Sequence, residues 1–160
     1  MDRQAPLSAL PPFVLVVPNI RSGHNVGAMF RTADGAGVDK IYLSGYSPRP
    51  PHPQVDKVSL GAEKAVPWEY AAQPGRLLKK LKAAGYQIVA LEQTPKSVSI
   101  YQWQPKFPLA LVVGNEKTGV TKNLLRYCDL AVAIPMRGAK NSLNVSVAAG
   151  IALYYIRSHV

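Results

Sequence analysis

Five short apolar runs constrain this chain more than anything else in it. Phe13–Val17 (FVLVV), Lys40–Leu43, Tyr86–Leu91, Leu109–Val113 and Leu130–Ile134 are each too brief for a helix. They are also too continuous for strands with one wet face. Near-continuous apolar strands are buried on both faces, as in parallel sheets. Helical patterns fill the gaps between them. Asn25 to Ala33 reads as a helix. Gln73 to Ala84 is amphipathic, with Leu77, Leu78 and Leu81 inward, Arg76, Lys79, Lys80 and Lys82 outward, and Gly85 as its stop. Ser47 to Pro53 (SPRPPHP) holds four prolines in seven residues and reads as an extended loop. This βα alternation predicts an α/β fold, a mostly parallel sheet with helices on both faces. Ligands bind such sheets beyond the strand C-termini. Here those ends are expected at Val17, Leu43, Leu91, Val113 and Ile134.

The last quarter carries the second constraint. From Ile134 to Tyr155 the chain reads IPMRGAKNSLNVSVAAGIALYY. A basic polar loop, Arg137 to Asn141, runs into Ser142-Leu143-Asn144 and then into an apolar helix. Ser142 is expected to cap that helix, leaving backbone N–H groups aimed at the loop. A helix start beside a polar loop suits a ligand. The helix is apolar on nearly every face, with Leu143, Val145, Val147, Ala148, Ile151, Leu153, Tyr154 and Ile156. That implies cover on both sides, and in a small chain a second subunit is the expected cover.

With 160 residues, 48% of them hydrophobic, the chain is expected to be one domain spanning residues 1–160. Nineteen Lys+Arg against nine Asp+Glu give a net charge of +10. RNA, DNA and an anionic membrane are the candidate partners, against a charge that only serves solubility. No segment approaches the length of a membrane span, so no membrane is expected. The proline-broken N-terminus does not read as a signal peptide. One cysteine, Cys128, excludes an internal disulfide and is expected to be buried packing. A cytoplasmic protein is the expectation.

Three apparent motifs dissolve on inspection. Gly114-Asn115-Glu116-Lys117-Thr118 lacks the glycine a phosphate loop needs before its lysine, and Glu116 would repel phosphate. Asp34-Gly35-Ala36-Gly37-Val38 has Lys40 where a dinucleotide fingerprint needs glycine. His24, His52 and His159 have no metal-ligand spacing, so no metal is expected. What remains sits at loop–helix junctions. In Asn25-Val26-Gly27-Ala28-Met29-Phe30-Arg31-Thr32, two small residues allow close approach of a backbone or ligand, and Arg31 offers a fork suited to phosphate. Val112-Val113-Gly114-Asn115-Glu116 is a strand running into a glycine and a carboxylate. The third junction is the loop before the apolar helix.

These three segments, in this order, resemble the motifs of the SpoU (TrmH-like) branch of the SPOUT RNA methyltransferases. Asn25–Thr32 is similar to the first motif, Leu111–Gly119 to the second and Ile134–Ala149 to the third. The resemblance runs from Pro18 to Tyr155. It implies a deep trefoil knot at the C-terminus, a homodimer, and S-adenosylmethionine bound in the knot. Matched to the family's positions, Leu91, Gly114, Ile134, Met136 and Leu143 would hold the cofactor. Asn25, Arg31, Glu116, Ser142 and Asn144 would form the polar active site, with Arg31 central. Lys117 departs from the pattern, since many members have a small residue after the glutamate. The flanking extensions by which some members grip their RNA are not expected here.

The implied reaction moves a methyl from the sulfonium of S-adenosylmethionine to a ribose 2′-hydroxyl of tRNA or rRNA. The family reading makes Arg31 the base, which is demanding for a guanidinium with a pKa above about 12. Alternatively Arg31 stays charged, holds a phosphate and stabilises the developing alkoxide. Arg21, Arg31, Arg49, Arg137 and Lys140 are the expected RNA contacts, with Lys79, Lys80 and Lys82 as further candidates. The rivals are a non-catalytic RNA-binding protein with the same fold, a methyltransferase acting on a base nitrogen, and a small-molecule nucleotide-binding protein.

Overall fold

In the computed structural model, which describes residue 6 and residues 9–160, every strand pairing in the sheet is parallel. The strands are β1 (Phe13–Pro18), β2 (Lys40–Ser44), β3 (Trp68–Ala71), β4 (Gln87–Leu91), β5 (Val98–Ser99), β6 (Leu109–Val112) and β7 (Leu130–Ala133). They lie in the order β3-β2-β1-β6-β4-β7-β5. The helices are α1 (Gly23–Ala36), α2 (Pro53–Ser59), α3 (Ala62–Ala65), α4 (Pro74–Ala83), α5 (Lys122–Leu125) and α6 (Val145–Arg157). All five anticipated strands are present, with ends displaced by one residue or so.

The period-two geometry of a strand explains the layering. In β1, Phe13, Leu15 and Val17 face one core with Val26, Met29, Phe30, Val55, Ala149 and Leu153. Val14 and Val16 face the other, with Leu77, Leu78, Leu81 and Leu124. Helices α1, α2, α3 and α6 therefore cover one face, while α4 and α5 cover the opposite one. Strand β1, interior in the sheet, has no exposed position, which is why its sequence is apolar throughout. Fully burying a side chain such as Phe30 or Leu15 contributes about 1.5–3 kcal/mol.

Local chemistry sets the helix ends. Ser22 caps α1, its hydroxyl accepting from the Asn25 N–H at 3.2 Å. Gly37 ends α1 at φ 70°, a left-handed conformation that is unstrained for glycine. Gly27 faces the Val55 carbonyl and Val58 of α2 so closely that a Cβ would not fit. The small residues of this segment thus admit another backbone. Arg157, at the end of α6, donates to the carbonyls of Ala36, Pro11 and Gly37, tying the last helix to the end of α1.

One expectation needs correction. Ser142 does not cap the final helix. Asn144 does, its side-chain oxygen accepting from the Ser146 and Val147 N–H groups at 2.9 and 3.3 Å. Within this chain one side of α6 stays open, the side the expected second subunit would cover: Val147 is 51% exposed and Tyr154 55%, with Ile151 between them. Strands β3 and β5 were not anticipated. Both are short edge strands without a continuous apolar run.

Cys128 is half-buried in the α4–α5 layer. Burial, reinforced by Asp129, pushes its thiol up to about 12. No helix among the described residues is long and apolar enough to cross a membrane.

Candidate active site

A cavity of about 530 Å³ opens beyond the C-terminal ends of β4, β6 and β7. Leu91, Glu92 and Gln93 continue β4 into it. Val113 to Gly119 follow β6, and Ala133, Ile134 and Met136 follow β7. The fourth wall is the segment Asn141–Val145 with Ala148 of α6. The volume falls within the roughly 300–1,000 Å³ usual for small-molecule sites. The position is the one the strand order dictates, since parallel strands aim their ends at a common ligand.

Close backbone packing shapes the β6 side. Gly114 lies against the backbone of Gly119 and Val120, where a Cβ would collide. Gly119 adopts φ 65° beside the Glu92 carboxylate. Glu92 accepts from the Val120 N–H at 2.8 Å. Asn115 holds the loop from inside: its side-chain oxygen accepts from the Lys117 and Thr118 N–H groups at 2.8 and 3.0 Å.

At the cavity edge, one network joins three distant segments. The Glu116 carboxylate accepts from the Arg21 N–H at 3.2 Å, the Ser22 N–H at 3.1 Å and Asn25 Nδ2 at 3.3 Å. Asn25 Oδ1 in turn accepts from Asn144 Nδ2 at 3.2 Å. Asn25 is only 6% exposed, so these partners satisfy a buried amide. Burial alone would raise the Glu116 carboxyl. The N–H groups of Glu116 itself, Ser22 and Arg21, with the Asn25 amide, outweigh it and hold the group below its ordinary value of 4.5. Its charge also lies at the positive end of α1.

Eight of the sequence-derived site residues line the cavity: Leu91, Gly114, Ile134, Met136 and Leu143 from the cofactor set, and Glu116, Ser142 and Asn144 from the polar set. Asn25 stands behind the wall and reaches it through Glu116 and Asn144. Arg31 is not brought into the cavity. It lies on the exposed side of α1, while Asn25 lies on the buried side. Arg21, Arg49, Arg137 and Lys140 are all exposed. Arg21 enters the site through its backbone. Glu92, and Asn115 within the second motif, carry no site role in the sequence-based expectation, although both follow strand C-termini and that rule points to them. Among the described residues there is no group of three or more side chains able to hold a metal ion.

Similarity to known proteins converges on these features. The pattern of the SpoU rRNA Methylase family matches residues 12–154. The chain is 35% identical over 144 residues to the 23S rRNA (guanosine-2'-O-)-methyltransferase RlmB of Pseudomonas putida, covering 90% of this chain and 58% of that protein. It thus spans less than two thirds of the length of that curated relative. Among solved structures, the A. aeolicus TrmH/SpoU tRNA modifying enzyme superposes with a TM-score of 0.85 at 33% identity, covering 94% of this chain and 76% of that one. The AdoMet-bound rRNA methyltransferase from Sinorhizobium meliloti gives a TM-score of 0.86 at 30% identity, covering 99% and 62%.

Proposed function

We propose, from the premise that this chain belongs to the SpoU rRNA Methylase family, that it is an S-adenosylmethionine-dependent RNA methyltransferase acting on a ribose 2′-hydroxyl. The observation that carries the reading is the Glu116–Asn25–Asn144 network at the edge of the cavity. It fastens the three motif segments into one site. The related Sinorhizobium meliloti structure holds AdoMet in the same fold.

The cavity residues fit that cofactor. Leu91, Ile134, Met136 and Leu143 offer apolar walls for an adenine and a ribose. Gly114 lets backbone close in, and the exposed Asn141–Asn144 run supplies polar groups. Bound there, S-adenosylmethionine supplies a methyl group on a positively charged sulfur. The protein's part is then orientation and proton removal. The 2′-oxygen bonds to the methyl carbon, the carbon–sulfur bond breaks with its electrons going to sulfur, and the 2′-proton leaves to a base. Ser142 and Asn144 stand at the mouth, where they can hold the ribose. Glu116, ionised at neutral pH, keeps Asn25 and the start of α1 in place.

The family's homodimer enters the same reading. Val147, Ile151 and Tyr154 leave an apolar stripe on α6 uncovered. Tyr154 reaches Gly35 of α1, and Gly150 packs against Thr32, so the stripe adjoins the exposed side of α1 that carries Arg31. A second copy docked on this surface covers the stripe and gives Arg31 access to a site its own chain does not offer. The family's C-terminal knot belongs to the same reading and comes to it from membership of the SpoU rRNA Methylase family. The exposed cations Arg21, Arg49, Arg137 and Lys140 provide an RNA surface, and the setting is the cytoplasm.

The test is to incubate the protein with S-adenosyl-L-[methyl-³H]methionine and RNA from cells lacking the gene, then digest to nucleosides. Label in a 2′-O-methylnucleoside is the expected result. Label only in methylated bases, or RNA binding without cofactor binding, overturns it. Sedimentation velocity is expected to show a dimer that Ile151→Asp dissociates.

A further inference from the structure

Tyr46 is held at both ends and left uncovered between them. It lies two residues beyond the end of β2 and is 61% exposed. Its backbone N–H donates to Asn19 Oδ1 at 3.2 Å, and its hydroxyl accepts from Asn115 Nδ2 at 3.0 Å. Asn115 is the residue that organises the cavity loop. An aromatic ring is therefore fixed at the rim of the candidate active site with its surface open to solvent. A ring already immobilised loses little conformational entropy when something stacks on it.

A planar cation lies three residues further along the same loop. The Arg49 guanidinium lies 3.7 Å from the centre of the Tyr70 ring. The Tyr70 hydroxyl donates to the carbonyl of Gly45, the residue before Tyr46, at 2.9 Å. Among the described residues Arg49 has no carboxylate partner, as the ion pairs are Lys40–Glu69 and Lys82–Asp129. Stacking fixes the plane of the guanidinium and leaves N–H groups for an anion.

We infer that Tyr46 is a stacking platform for an unpaired nucleotide flanking the methylated ribose, and that Arg49 takes that nucleotide's phosphate. This rests on the methyltransferase reading and adds a condition to it. A base within a duplex has both faces occupied, so the preferred target lies in a single-stranded segment. The chemistry fits RNA: a π-face for the base and a fixed cation for the backbone, in a chain of net charge +10.

The rival role for Tyr46 is a brace for Asn115, and three variants separate the two. Tyr46→Phe keeps the ring and loses the hydroxyl, Tyr46→Ala loses both, and Arg49→Ala removes the cation. Binding is read by anisotropy with a labelled 12-nucleotide oligouridine and with a 12-base-pair RNA duplex. KM and kcat are read with RNA from cells lacking the gene, S-adenosylmethionine affinity by calorimetry, and folding by circular dichroism. Stacking predicts Tyr46→Phe within about two-fold of wild type, and Tyr46→Ala weaker on the single strand by about ten-fold or more. Arg49→Ala should weaken it too. The loss should appear in KM for RNA, with cofactor affinity unchanged. The inference is overturned if Tyr46→Phe is as damaged as Tyr46→Ala, if cofactor affinity falls in parallel, or if duplex binds as well as single strand. A wild type that methylates RNA with Tyr46→Ala unaffected sinks the platform alone. A wild type with neither RNA binding nor transfer sinks the methyltransferase reading and the platform together.

Discussion

Asn144 donates its side-chain amide to the Asn25 side-chain oxygen at 3.2 Å, across 119 residues of sequence. The same Asn144 side chain caps α6, and Asn25 is bonded on its other side to Glu116. Helix α6 therefore begins where its cap can reach α1, and the cavity is walled at that junction.

Replacing Asn25 with Ala removes both hydrogen bonds from a buried position. Partners left unsatisfied at such a site cost about 1–3 kcal/mol. Denaturant unfolding should show a loss of that size, and S-adenosylmethionine affinity should fall with it because the cavity edge is no longer fixed. A variant with wild-type stability and affinity would show that the network does not organise the site.

Arg31 lies outside its own chain's cavity. Arg31→Ala should abolish methyl transfer while calorimetry shows cofactor binding close to wild type. Full turnover by this variant would remove Arg31 from the reaction. A lost cofactor site would mean that its role is structural.

Glu116 is held below its ordinary value of 4.5 in the folded protein. A depressed folded pKa adds stability above the unfolded pKa and loses it as pH falls through the folded value. Wild type should therefore exceed Glu116→Gln in stability at neutral pH. The gap should close progressively below about 4.5 as both folded and unfolded carboxyls take up protons. Thermal melts of the two proteins across pH 2.5–7 (about the range that spans these titrations) check it. A gap that is constant with pH counts against the charge.

Arg157 donates to three carbonyls at the far end of α6. Arg157→Ala should destabilise the fold by about 2 kcal/mol through loss of charge-assisted bonds. Arg157→Lys should recover only part, since a single ammonium cannot span the fork. Transfer activity per folded molecule should hold, because this end of α6 is remote from the cavity. Chemical denaturation and a specific-activity assay read the two effects separately.

The thiol of Cys128, pushed up to about 12 by burial, should resist alkylation by iodoacetamide at pH 8 in the native state. It should react readily once the protein is unfolded in urea. Rapid native labelling would place the thiol in an open, thiolate-stabilising setting instead.

Local chemistry alone determined a good part of this protein. FVLVV reads as a doubly buried strand because every side chain of β1 meets a core. The Leu77–Leu78–Leu81 pattern reads as a helix because one stripe of α4 is buried. Three motif segments, in order, identified the family and most of the cavity lining. Only tertiary structure decided the rest. β3 and β5 are edge strands whose pairing comes from a neighbour and leaves no periodic trace in four or two residues. Ser142 and Asn144 are both good cap residues, and the choice fell to Asn144 because its amide meets Asn25 from a distant helix. The position of Arg31 outside the cavity, and of Tyr46 at its rim, likewise follows from how elements pack. Sequence specifies which faces are apolar and which residues can cap or carry charge. Where those groups meet is a property of the folded arrangement, in which contacts more than a hundred residues apart select among options that are locally equivalent.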